Sequence, residues 1–266
     1  ITLAANAAAI ALYITASLFL LSLLARRQPT ASPWLYWFAL TALVFHGVGA
    51  YGLIFTEQGF QFGFYRAASV IFFVINLLVW LSSLRKPLHN LFILLFPMSA
   101  LALILSLVTP PTTAKTVIGA EIASHILLSL LAYSLLTIAA LQALFLAFQN
   151  RQLKHKHPTG LVRLLPPLQT MEALLFEALW AGQILLTLAI ATGFLFLDDL
   201  FAQHLAHKTA FSLIAWVIYA VLLWGRHQLG WRGNTAIRGA LGGFAALMLA
   251  YFGSKLVLEL VLLSFW

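Results

Sequence analysis

Three histidines, His46, His125 and His207, fall within or at the rims of long apolar runs. Ionisable side chains at membrane depth are costly, so they mark a site before anything else does. A neutral imidazole ligates a heme iron through one ring nitrogen, while the other needs a hydrogen-bond partner to fix the tautomer. Glu121 stands four residues before His125 on the same helical face. It either orients that histidine or is a helix N-terminal acid beside an ordinary interfacial histidine. His46 lies in Val44-Phe45-His46-Gly47-Val48-Gly49, whose glycines admit a second helix or a flat cofactor close to the backbone; a polar bond to a neighbouring helix is the other reading. His207 follows His204 by one turn, near Asp198 and Asp199. That set reads either as metal ligands of unrecognised spacing or as a solvated loop.

Arg66 closes Gly59-Phe60-Gln61-Phe62-Gly63-Phe64-Tyr65-Arg66, too short and interrupted to cross a membrane. It is expected to lie at the outer surface as an amphipathic lid, its aromatics against a porphyrin and Arg66 on a propionate. An interfacial aromatic anchor is the alternative. Lys255 and Glu259, four apart, neutralise each other or line a polar path; Glu177 and Gln183 read as lining a polar cavity, with Glu177 near enough to the cytoplasmic end to be hydrated.

The elements that must position these residues follow from composition. With 62% hydrophobic and 8% charged residues and a mean hydropathy of +0.98, the apolar side chains exceed what one soluble core can hide. The expected fold is all-α, a polytopic transmembrane bundle of about eight spans, at about 2–24, 34–55, 69–84, 91–108, 120–148, 172–196, 209–225 and 239–262. The chain starts at Ile1 inside the first run, an expectation of trimming or processing ahead of it. That run reaches Leu24 and Arg26-Arg27 without a small-residue cleavage site, so it is expected to remain as a span. With no convincing repeat, low-complexity tract or soluble domain, residues 1–266 are expected to form one membrane domain.

The odd-numbered connections hold Arg26, Arg27, Arg85, Lys86, Arg151, Lys154, Lys156, Arg163, Arg226, Arg232 and Arg238, and the even ones only Arg66, Lys115 and Lys208. This bias places the odd connections in the cytoplasm and both termini outside. It also accounts for the net charge of +8 without a nucleic-acid partner. His125 and His207 then share the outer rim, and His46 lies about 18 Å from the cytoplasmic end of its span at 1.5 Å per residue. The chain has no cysteine, which excludes disulfides, thiolate zinc and covalent heme attachment through its own CxxCH. No phosphate-binding glycine loop, Ser/His/Asp arrangement or paired catalytic carboxylates stand out.

These residues resemble the cytochrome c assembly proteins, the heme-handling membrane family that includes the system II cytochrome c synthetases and HemX-like proteins. The landmarks run from about Glu121 to Gly253. They are His125 with Ala132-Tyr133, Leu165-Pro166-Pro167-Leu168-Gln169-Thr170-Met171-Glu172, and Leu185 through Thr192-Gly193. His207-Lys208-Thr209, Ala215-Trp216 through Tyr219-Ala220, Gly230-Trp231-Arg232-Gly233 and Gly243 through Gly253 complete them. Their order is similar to the YpjD-type inner-membrane branch.

The resemblance implies non-covalent heme b, received by an early-span histidine matching His46 and held outside by histidines including His125. The synthetases' tryptophan-rich W-G-x-x-W-x-W-D segment is missing, since Phe194 to Thr209 contains no tryptophan. Their late external histidine is missing too, and His207 sits about where they carry D-P-K-E-T, so by position it is the expected replacement ligand. The expectation is heme handling or transport in the bacterial inner membrane rather than catalysis, with heme, the lipid bilayer and a possible membrane protein as partners. A heme-free transporter or regulatory subunit for an ion or small solute is the competing expectation.

Overall fold

The computed structural model describes residues 1–26, 28, 32–56, 59–61, 63–109, 119–154, 165–196 and 203–253, with the backbone alone at 203–207 and 252–253. In order come α1 (Thr2–Ala25), α2 (Pro33–Ile54), α3 (Phe64–Ser83), α4 (Phe92–Val108), α5 (Ala120–Lys154), α6 (Leu168–Phe196), α7 (Gln203–Gln228) and α8 (Asn234–Met248). The expected all-α polytopic fold is what forms. Among the described residues, seven helical segments are long and apolar enough to cross a membrane. The eighth expected span corresponds to α8 and the π-helical turn Leu249–Gly253 that prolongs it; its remainder lies outside the described residues. At 35 residues, α5 runs about 52 Å, well beyond the roughly 30 Å hydrocarbon layer.

Large apolar side chains point outward as well as inward. On α2 alone Trp34, Trp37, Val44, Val48 and Tyr51 are exposed, a surface that is stable only against lipid. The interior combines large apolar side chains such as Tyr13, Phe92, Phe96 and Tyr219 with buried small and polar residues, and the latter let helices approach and bond across.

Between α2 and α3 the chain folds differently from the expected lid. Phe55–Thr56 and Gly59–Phe60 pair as a short antiparallel hairpin, with the Thr56 hydroxyl donating to the Gly59 carbonyl at 2.9 Å. Gly59 takes φ 113°, a conformation that only glycine adopts cheaply. Helix α3 then starts at Phe64, earlier than expected, so Tyr65 and Arg66 belong to its first turn. Phe62 lies outside the described residues.

The helices gather into two compact units, one dominated by α1–α4 and the other by α5–α8. In the first, buried Ala5, Ala9 and Ala16 give α1 a narrow face. The Asn76 amide of α3 donates to the Ser99 hydroxyl of α4 at 2.6 Å. Pro97 sits within α4, tolerated because neighbouring helices can supply the missing polar contacts.

In the second unit, Gly182 of α6 lies against Leu136 of α5, and Gly239 and Gly243 of α8 lie against Leu222 and Tyr219 of α7. The Glu172 carboxylate at the start of α6 accepts from Arg226 Nη1 at 2.7 Å, Arg232 Nε at 3.1 Å and the Gly233 amide at 3.4 Å. Two landmarks distant in sequence, Glu172 and Gly230-Trp231-Arg232-Gly233, are thereby one structural knot. Glu172 is 12% exposed, so its charge-assisted bonds are only partly screened. Glu172→Gln is expected to lower stability by about 2 kcal/mol, read as earlier thermal unfolding in detergent.

Candidate histidine site

His46 is fully buried in the first unit. Its Nδ1 pairs with the Tyr13 hydroxyl of α1 at 3.1 Å and its Nε2 with the Ser69 hydroxyl of α3 at 3.0 Å. Tyr13 and Phe73 pack edge-on to the ring at 5.7 and 5.4 Å between centroids, and Gly47 leaves room for Phe73. One imidazole thus joins three helices. A neutral ring accepts one hydrogen bond and donates one, so it satisfies both hydroxyls and leaves no nitrogen over.

His125 is held differently. It occupies the second turn of α5 and is half-buried. Its Nδ1 lies 3.2 Å from Thr192 Oγ1 on α6, whereas Nε2 makes no hydrogen bond among the described residues. Gly193 permits this approach, since a Cβ there would lie 3.2 Å from the ring's Cε1. Glu121 is exposed in the first turn of α5, and its side chain makes no hydrogen bond or ion pair among the described residues. Thr192, which carries no charge, contacts the ring, and the Ala189 backbone carbonyl lies beside it. The signal for it was the Thr192-Gly193 pair within the Leu185-to-Gly193 run.

Arg66 donates from Nη1 to Gln61 Oε1, within the first unit. His207 belongs to the start of α7, but its side chain and that of His204 lie outside the described residues, as do Asp198, Asp199, Lys255 and Glu259. Of the remaining polar candidates, Glu177 is exposed and Gln183 donates to the Trp216 carbonyl at 3.2 Å. Among the described residues no cluster of three or more His, Asp or Glu side chains has the geometry of a metal site.

Apolar helices facing lipid, with histidines drawn into bonds between them, define an α-helical polytopic membrane protein. Residues 34–262 match the family described as Cytochrome C assembly protein, and the chain belongs to that family. Over 137 residues it is 42% identical to the inner membrane protein YpjD of Escherichia coli (strain K12), covering 52% of each chain. An uncharacterized 28.8 kDa protein in the nifR3-like 5' region of Azospirillum brasilense is 36% identical over 146 residues, 54% of each chain. The cytochrome c biogenesis protein CcsA of Prochlorococcus marinus (strain NATL1A) is 26% identical over 91 residues, 34% of this chain and 29% of that protein. The chain thus spans about half the length of the first two of these curated relatives. No solved structure matches it. With an inner membrane relative and seven crossing segments, it is a multi-pass protein of the bacterial inner membrane.

Proposed function

We propose that this protein handles heme, holding non-covalent heme b near the outer face, where His125 and His207 would be the residues that hold its iron. The observation that carries the reading is the state of His125, anchored through Nδ1 on Thr192 with Nε2 unengaged. A histidine ligand needs that arrangement, one nitrogen fixed by the protein and the other open. Membership of the cytochrome c assembly family supports heme as the group bound. When bound, heme supplies a coordinating iron and a reversible redox couple. The chain's own residues supply an oriented imidazole.

In this proposal the basic connections face the cytoplasm and both termini face outward. His46 works as a three-helix node. It can reach iron only in a state where Tyr13 or Ser69 has let go.

The test is the absorption spectrum of protein purified from heme-replete cells. A Soret band is expected, and it should be lost in a His125→Ala, His207→Ala double variant. Its persistence in that variant would reject the ligand pair. A protein that remains colourless after hemin supplementation would overturn the reading and favour a heme-free transporter or regulatory subunit.

A further inference from the structure

The hydrogen-bond count around Thr192 determines which nitrogen of His125 carries the proton. Thr192 Oγ1 lies 2.9 Å from the Leu188 carbonyl oxygen and 3.0 Å from that of Ala189. Carbonyl oxygens only accept, so the single hydroxyl proton is directed at that pair; without it, close oxygen–oxygen contacts would be repulsive. Toward His125 the hydroxyl oxygen is left as an acceptor, and the Ala189 carbonyl that also faces the ring can only accept. The bond at 3.2 Å therefore runs from Nδ1–H to Oγ1, and a neutral imidazole protonated at Nδ1 carries its lone pair on Nε2.

His46 lacks such a device. Neither the Tyr13 nor the Ser69 hydroxyl has another hydrogen-bond partner among the described residues, so the two hydroxyls by themselves accept either tautomer, although the Ser69 backbone also faces the ring. Thr187 repeats the Thr192 pattern one helical stretch earlier. It donates to the Gln183 carbonyl at 2.7 Å and accepts from Trp216 Nε1, an obligatory donor, at 2.8 Å.

We infer that Thr192 is a positioning residue, spending its proton on its own helix so that it locks His125 in the Nδ1–H tautomer and presents the Nε2 lone pair to a ligand-seeking metal. The role toward iron rests on the function proposed above; the tautomer lock does not. Gly193 complements it by keeping space for the ring, where a Cβ would press on Cε1.

The lock is tested on heme-free protein in lipid nanodiscs, labelled with 15N-histidine and kept at a pH where imidazole is neutral. The His125 resonances are assigned by their loss in His125→Gln. Wild type is expected to show Nδ1 protonated and Nε2 bare. Thr192→Val, close in shape but without an acceptor, should release the ring to a mixture or to the Nε2–H form, and Thr192→Ser should restore the lock. A wild-type ring protonated at Nε2, or a tautomer indifferent to Thr192→Val, would overturn the inference whatever hemin does. In a parallel hemin titration followed by absorbance, Thr192→Val is expected to weaken binding about tenfold, within the range seen when partners of ligating histidines are removed, with recovery in Thr192→Ser. Unchanged affinity in Thr192→Val alongside lost binding in His125→Ala would overturn the positioning role and leave the proposed function standing. Full hemin affinity in His125→Ala would instead overturn the proposed ligand, while the labelled spectra still decide the lock.

Discussion

His46→Ala is expected to destabilise the α1–α4 unit by about 2–4 kcal/mol, the sum of a buried cavity and two orphaned hydroxyls. Hydrogen bonds between membrane helices average only about 0.6 kcal/mol each, so the two lost bonds account for the smaller share. Most of the effect comes from the void left between Tyr13, Ser69 and Phe73 and from the two orphaned hydroxyls, since Tyr13 and Ser69 are buried. His46→Gln, which keeps one donor and one acceptor on a thinner stem, should recover part of the loss. Thermal unfolding in detergent measures the size of the change. The hemin spectrum separates the two roles of this residue: a node loses stability first, whereas a resident ligand would lose the Soret band with stability intact.

A second large effect is expected at Gly243. A Cβ built there would lie 2.6 Å from Tyr219 Cε1, and Tyr219 is fully buried, so the ring has no free volume to enter. Gly239, one turn earlier, is also close, since a Cβ there would lie 2.9 Å from Leu222 Cδ1, and the two glycines form one strip along which α7 and α8 meet. Gly243→Val must push the helices apart, which forfeits contacts along their length and should cost at least about 3 kcal/mol. Gly242, with open space where a Cβ would go, is the control: Gly242→Ala is expected to leave stability within about 1 kcal/mol. Equal unfolding temperatures for Gly243→Val and Gly242→Ala would contradict the close-packed strip.

Much of the architecture was legible because membrane helices announce themselves. A run of about 20 apolar residues needs no tertiary information to be read as a span, since hydrocarbon leaves the backbone few alternatives to helix. The expected spans therefore coincide with α1 to α7 apart from their ends, and the start of α3 moved to Phe64 because aromatic residues beside Gly63 suit a helix end as well as a lid. His46 and His125, singled out by the cost of burying an imidazole, are both drawn into bonds between helices. Their partners were not legible. Tyr13 and Ser69 are ordinary residues in ordinary spans, and only the packing of α1 and α3 against α2 makes them the groups that satisfy His46.

The same division holds for His125. Glu121 drew attention because it is charged and one turn away, a relation visible along a single helix. Thr192 lies 67 residues away on another helix, and local spacing cannot reveal such a contact. Its role also depends on where its proton goes, a matter of three oxygens and one nitrogen in space.

By itself, the sequence determined the solvent of this protein, the rough bounds of its first seven spans and its family. Those follow from hydrophobicity and from ordered motifs, which are properties of the chain. Only the tertiary structure decided that His46 is closed on both nitrogens while His125 is open on one, because hydrogen bonding is settled by which groups meet across helices.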